Sequence, residues 1–255
     1  MRNFMMILQY EGTRYQGWQR QESTGNTIQG RLEALLTKMT GQEITLQGSG
    51  RTDAGVHALG QVANFHADTQ MQTDDMISYI NFYLPEDIAV ISLKEVTERF
   101  HSRLNAKGKK YCYRVNNGKT PHVFDRRYTH TVEEQLDIEA MRRAAGYLLG
   151  THDFKAFTSN KRSKKSTIRT IDEIEIERNT GMSMALWGEQ DEISFTYRGN
   201  GFLYHMVRIM TGTLLEIGMH KRKPEDIADI LSSGLREKAG ELAPAKGLTL
   251  MEVYY

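Results

Sequence analysis

The stretch Gly48-Ser49-Gly50-Arg51-Thr52-Asp53-Ala54-Gly55-Val56-His57-Ala58 sets a guanidinium and a carboxylate two positions apart among turn-forming glycines. Glycine lets a backbone turn sharply or admit a ligand closely. A plain surface turn has no need of Arg51, Thr52, Asp53 and His57 as well. A carboxylate fixed at the rim of a sheet suits work as a nucleophile or base. On extended backbone Arg51 falls on the same side as Asp53, where its charge favours the ionised form. The plainer alternatives are an aspartate that caps its own turn and an arginine in a structural ion pair. His57, His66 and His101 match no compact zinc spacing, and the single Cys112 adds little, so no metal is expected. Gly48 to Thr52 also lacks the lysine and hydroxyl pair of a nucleotide-binding phosphate loop.

The elements that would hold this loop follow from periodicity. Asn3 to Tyr10 reads as a buried strand. Asn26 or Thr27 caps a helix that runs to about Thr40, with Ile28, Leu32, Leu35, Leu36 and Met39 on one face and Gly41 at its end. Strands are expected near 44–48 and 60–67, the second from the alternation in Gln61-Val62-Ala63-Asn64-Phe65, so the loop is gripped between them. A helix over 73–83, capped by Thr73 or Asp74 and stopped before Pro85, leads to a strand over 88–96. That order is a split βαβ, or ferredoxin-like, unit. A similar order begins after Arg103: strands 109–116 and 126–132, a helix 137–149, strands 170–178, 182–187 and 192–198, helices 202–217 and 224–233, and a strand 250–255. The expected fold is therefore α+β. Two ferredoxin-like (RRM-like) halves, 1–105 and 106–255, form one mixed, mainly antiparallel sheet with helices on one face and a central cleft.

Composition narrows the class. A chain of 255 residues, 39% hydrophobic and 25% charged, is ordinary for a globular protein with a sizeable core. No apolar run is long enough to span a bilayer. The first residues read as a strand with no small-residue cleavage site after them. One cysteine excludes an intramolecular disulfide framework and points to a reducing cytoplasm. A formal net charge of +1 decides nothing by itself, because basic residues cluster at 99–114, 161–169 and 221–223. Any one such cluster, taken alone, is a solvated face. The segment 161–166, poor in apolar residues, is the expected mobile loop.

The nonapeptide Gly50 to Ala58 resembles the signature of the bacterial tRNA pseudouridine synthase A family. Five further segments fall in the family's order: Tyr15-Gln16-Gly17-Trp18-Gln19, Arg99-Phe100-His101-Ser102-Arg103, Lys110-Tyr111-Cys112-Tyr113, Gly201-Phe202-Leu203-Tyr204-His205-Met206-Val207-Arg208 and Lys246-Gly247-Leu248-Thr249-Leu250. The resemblance implies a cytoplasmic, cofactor-free isomerase that converts uridine to pseudouridine at positions 38, 39 and 40 of the tRNA anticodon stem-loop. It implies a homodimer, both chains contacting one tRNA. Asp53 takes the place of the single catalytic aspartate. Whether that group attacks C1′ or removes the C2′ proton stays open. Tyr111 takes the place of the tyrosine that stacks on the target uracil. Alone, a tyrosine on a strand is core packing; the segment match reverses this for Tyr111 and not for Tyr113. Arg208 pairs with Asp53 or orders the site, where otherwise it would be a surface arginine over a core helix. Leu248 packs under the uracil. A non-catalytic RNA-binding protein on the same scaffold and a metal-dependent nuclease are the rival classes.

A uridine inside a stem must leave the stack before it can be isomerised, and phosphate contacts on a basic surface offset that cost. Trp18, Arg20, Arg99, Arg103, Lys107, Lys109, Lys110 and the basic loop with Lys161, Arg162, Lys164 and Lys165 are the candidate RNA contacts. Such contacts read backbone shape more than base edges, which fits a tolerance of neighbouring target positions.

Overall fold

The structure, a computed structural model, describes residues 1–160, 166–180 and 191–255. The strand expected over 182–187 and the basic loop residues Lys161, Arg162, Lys164 and Lys165 lie outside the described residues. The chain divides into two compact units, Met1–Lys107 with Thr249–Tyr255, and Gly108–Leu248. The architecture is α+β, with a mixed sheet in each unit.

The first unit runs β1 (Arg2–Tyr10), α1 (Ile28–Thr40), β2 (Gln47–Gly48), β3 (His57–Ala67), α2 (Thr73–Tyr83) and β4 (Ile88–Val96), the βαββαβ order expected from the sequence. β1 lies between β4 and β3 and is antiparallel to both. Phe4 and Phe65 stack across the β1–β3 pair at 5.4 Å, anchoring the register. α1 starts where Thr27 Oγ1 accepts the Gly30 amide at 3.1 Å, and ends at Gly41 in the left-handed region. Ile28, Leu32 and Leu36 are buried, whereas Leu35 and Met39 lie half-buried at the edge of the apolar face.

Two local expectations change. The strand expected over 44–48 pairs only at Gln47–Gly48, antiparallel to β3. Upstream, the Leu46 amide donates to Glu33 Oε1 at 2.9 Å and the Ile44 amide to Thr37 Oγ1 at 3.1 Å. Side chains of α1 thus satisfy groups that a longer strand would have paired. α2 is capped by Gln72, not Thr73 or Asp74, and Gln72 makes no side-chain cap bond. Asp74 and Asp75 instead sit in the first turn, where the helix dipole favours negative charge.

The second unit contains β5 (Gly108–Asn117), β6 (His130–Val132), α3 (Ile138–Gly146), β7 (Gly150–Asp153), β8 (Ile168–Thr180), β9 (Asp191–Gly199), α4 (Met206–Gly218) and α5 (Asp226–Ser233). Its strands order β5-β9-β8-β7, all antiparallel neighbours, with β6 parallel to β5. The strand expected over 126–132 is confined to His130–Val132. The helix expected to reach 149 stops at Gly146, tightens through Tyr147 to Ala144 and Leu148 to Ala145 bonds, and turns at Gly150 (φ 92°) into β7. The helix expected from 202 starts at Met206, because His205 sits at φ 65°, a left-handed conformation that no helix can pass through. The last strand, β10 (Leu248–Tyr254), runs parallel to β3 through Thr249↔His57 and Leu250↔Ala58.

Candidate active site

The Asp53 loop is strapped on both sides of the aspartate. The Thr52 carbonyl accepts the Trp18 amide at 3.0 Å, and Thr52 Oγ1 lies 2.8 Å from the Tyr10 hydroxyl. Downstream, the Val56 amide closes a turn onto the Asp53 carbonyl at 3.2 Å, with Gly55 at φ 78° in its third position. That is a type II arrangement, which needs positive φ there and so needs glycine. Upstream, the Ser49 amide donates to the Val62 carbonyl at 2.7 Å. Thr52 and Val56 are buried and Asp53 is half-buried, so the carboxylate rises from a rigid base.

The strap reaches back to a helix end. The Ile28 and Gln29 amides of α1 donate to the Gly17 and Trp18 carbonyls at 3.2 and 2.9 Å, and Trp18 in turn holds Thr52. Gly17 has φ 88°, and a Cβ on it would stand 2.7 Å from the Thr52 carbonyl oxygen. Arg51 is exposed and donates from Nε to Gln19 Oε1 at 2.9 Å. Below, His57 is buried and its Nδ1 accepts the Gly12 amide at 3.0 Å, which puts the ring proton on Nε2. Glu11 Oε1 lies 3.6 Å from the same nitrogen. Burial pushes the Tyr10 phenol up to about 12, although its bonds to Thr52 and Gln61 pull the other way, so it stays protonated.

The second unit gathers the other expected site residues around β5 and α4. The alternation predicted for Lys110-Tyr111-Cys112-Tyr113 is present: Tyr111 and Tyr113 are buried, while Lys110 and Cys112 are half-buried. Tyr111 meets Phe202 edge to face at 5.2 Å. Tyr113 donates to the Pro244 carbonyl at 2.9 Å. Burial drives its phenol far above the ordinary range against the opposing pull of the Arg208 charge. Arg208, half-buried on α4, donates from Nε to the Ala243 carbonyl at 2.7 Å, and the Ala243 amide returns a bond to the Arg208 carbonyl at 3.2 Å. The 243–247 segment is thereby fixed just ahead of Leu248, which is 5% exposed.

The expected RNA contacts divide. Arg20, Arg99, Arg103 and Lys107 are exposed, and Lys109 and Lys110 half-exposed. Arg20 pairs with Glu33 at 3.4 Å. Arg99 and Arg103 flank Ser102, which is bonded to Gln47 and Asn64 at the foot of the Asp53 loop. Trp18 is a correction. It is 2% exposed, tilted against Tyr10 at 6.1 Å, and bound through its backbone to Thr52 and α1. It cannot lie on an RNA surface; it is the floor under the loop. Residues with a part in the site went unnoticed in the sequence, chiefly Gln61 and Tyr10. Gln61 was legible in principle, since it shares a side of β3 with Ala63 and Phe65 by the period of two and is polar where they are apolar. Among the described residues, no helix is long and apolar enough to cross a membrane, and no group of three His, Cys, Asp or Glu could hold a metal ion.

A family model described as tRNA pseudouridine synthase matches residues 6–105 and 144–255. A tRNA pseudouridine synthase A 1 from Clostridium tetani is 49% identical over 255 residues, covering 100% of both chains. A tRNA pseudouridine synthase A from Acetivibrio thermocellus is 44% identical over 255 residues, again 100% of both. Another from a Bacillus species is 45% identical over 250 residues, 98% of each. The strapped aspartate loop lies inside the first matched span, and Arg208 and Leu248 lie inside the second. With this likeness running end to end, the chain belongs to the tRNA pseudouridine synthase family of isomerases.

Proposed function

We propose that this chain isomerises uridine to pseudouridine at positions 38, 39 and 40 of the tRNA anticodon stem-loop, with Asp53 as the catalytic carboxylate. The observation that carries the proposal is the position of Asp53, half-buried at the head of a turn anchored by the buried, hydrogen-bonded Thr52 and Val56. The reaction breaks the C1′–N1 bond, turns the base, and joins C1′ to C5. The proton lost from C5 is matched by one gained at N1, so no electrons change hands and no co-reactant is consumed. Both routes to the intermediate, attack at C1′ and removal of the C2′ proton, require an ionised carboxylate in a fixed place.

Arg51 supplies positive charge in the same loop and helps hold open the space left by the displaced base. Tyr111, braced by Phe202, stacks on the flipped uracil, and stacking of this kind is worth about 1–3 kcal/mol. Arg208 orders the site through its bonds to Ala243, and Leu248 packs under the base. Arg20, Arg99, Arg103, Lys110, Lys161, Arg162, Lys164 and Lys165 contact phosphates, and two copies of the chain act on one tRNA in the cytoplasm. The two ferredoxin-like halves, 1–105 and 106–255, supply the Asp53 loop and the stacking tyrosine respectively.

Pure protein incubated with anticodon stem-loop RNAs, each carrying one uridine at 38, 39 or 40, tests the assignment by pseudouridine mapping. Conversion at all three positions and at no loop uridine outside them is the expected result. Conversion confined to another region of tRNA would overturn the positional assignment.

A further inference from the structure

Three of the four residues leading to Asp53 are held by side chains that do not reach the surface. Gln61, on β3, is fully buried and turns both ends of its amide toward them, its Oε1 also accepting the Val62 amide of its own strand at 3.2 Å. Its Oε1 accepts from Ser49 Oγ at 2.7 Å, and its Nε2 donates to the Gly50 carbonyl at 3.0 Å and toward the Tyr10 hydroxyl at 3.4 Å. Tyr10, on β1 and 4% exposed, brings that hydroxyl to 2.8 Å from Thr52 Oγ1. An apolar residue at position 61 would serve the sheet better, as Ala63 and Phe65 do, because burying an amide and a phenol carries a desolvation cost. Apart from the Val62 amide of its own strand, the partners of Gln61 are loop groups and the phenol that reaches the loop, so the side chain ties the loop to the sheet.

We propose that Gln61 and Tyr10 are positioning residues for the Asp53 carboxylate. They lock the Ser49–Thr52 backbone so that Asp53 leaves the loop at a single angle, and they touch no substrate themselves. This rests on Asp53 being the catalytic group. Networks of this kind matter because a reacting group displaced by about 1 Å loses roughly a hundredfold in rate.

The test measures single-turnover pseudouridine formation with enzyme in excess, RNA affinity and thermal unfolding on Tyr10→Phe, Thr52→Val, their double variant, Gln61→Leu and Asp53→Asn. Each removal of a network group should slow the chemical step about 10–100-fold with RNA Kd changed by less than about threefold. The double variant should be no slower than the slower single, since both break one link. Thr52→Ser, which keeps the hydroxyl, should recover most of the parent rate. Lower thermal stability with an unchanged rate, or single effects that multiply in the double variant, would overturn the proposal. If Gln61→Leu does not fold, Tyr10→Phe carries the test by deleting one oxygen. An inactive Asp53→Asn beside full-rate Tyr10→Phe and Thr52→Val defeats the positioning role alone. An active Asp53→Asn defeats the catalytic assignment and the positioning role together.

Discussion

At the residue scale, the Asp53 loop depends on positions that carry no chemistry. Gly17 combines positive φ with a Cβ site 2.7 Å from the Thr52 carbonyl oxygen, so Gly17→Ala has to move the strap itself. The substitution should cost about 1–3 kcal/mol, read as a fall of roughly 2–10 °C in Tm, together with a slowed chemical step. Unaltered Tm and rate would mean that the loop is not pinned through Trp18. Asp53 and Tyr111 were singled out by the resemblance of their segments to the family's, because alone an aspartate in a turn caps it and a tyrosine on a strand packs in a core. Trp18 was misplaced because tryptophan suits a stacking surface and a core equally well. Only the closing of the Tyr15–Gln19 segment over Thr52, a contact between residues far apart in sequence, decides between them.

At the element scale, the pieces whose ends are set by local chemistry were legible. α1 begins at the Thr27 cap and ends at Gly41, and β4 has the limits expected of it. The misjudged ends are those set by partners elsewhere. Leu46 goes to Glu33 instead of into a longer β2, the chain after Gly146 leaves α3 to pair as β7 with β8, and His205 delays α4. Since α1's first amides grip Gly17 and Trp18, its cap belongs to the site as well as to the helix. Thr27→Ala should remove about 0.5–2 kcal/mol of stability. Hydrogen exchange should then speed up at the Trp18 amide more than at amides of β4. Equal changes at both places would detach the helix end from the loop.

At the scale of the whole molecule, buried phenols set the alkaline limit. Burial raises Tyr10 to about 12 and pushes Tyr113 and Tyr197 higher still. Unfolded, these groups lose their protons near pH 10, while the folded chain retains them. Their contribution is therefore complete below about pH 10 and declines as pH rises through the folded values, by up to about 1.4 kcal/mol per pH unit for each phenol. Urea midpoints measured from about pH 9 to pH 12 should fall steadily above pH 10, and a flat profile would contradict the burial. Binding of the stem-loop RNA should weaken steeply as salt rises, with a log–log slope that shrinks by roughly one for each phosphate-contacting residue among Arg20, Arg99 and Arg103 that is neutralised. The direct test of the central assignment is single-turnover conversion of stem-loop RNA by Asp53→Asn, with RNA affinity measured on the same preparation. A rate lower by about 10⁴-fold or more, at nearly unchanged Kd, is the predicted result. Conversion at a rate near that of the parent protein would contradict it.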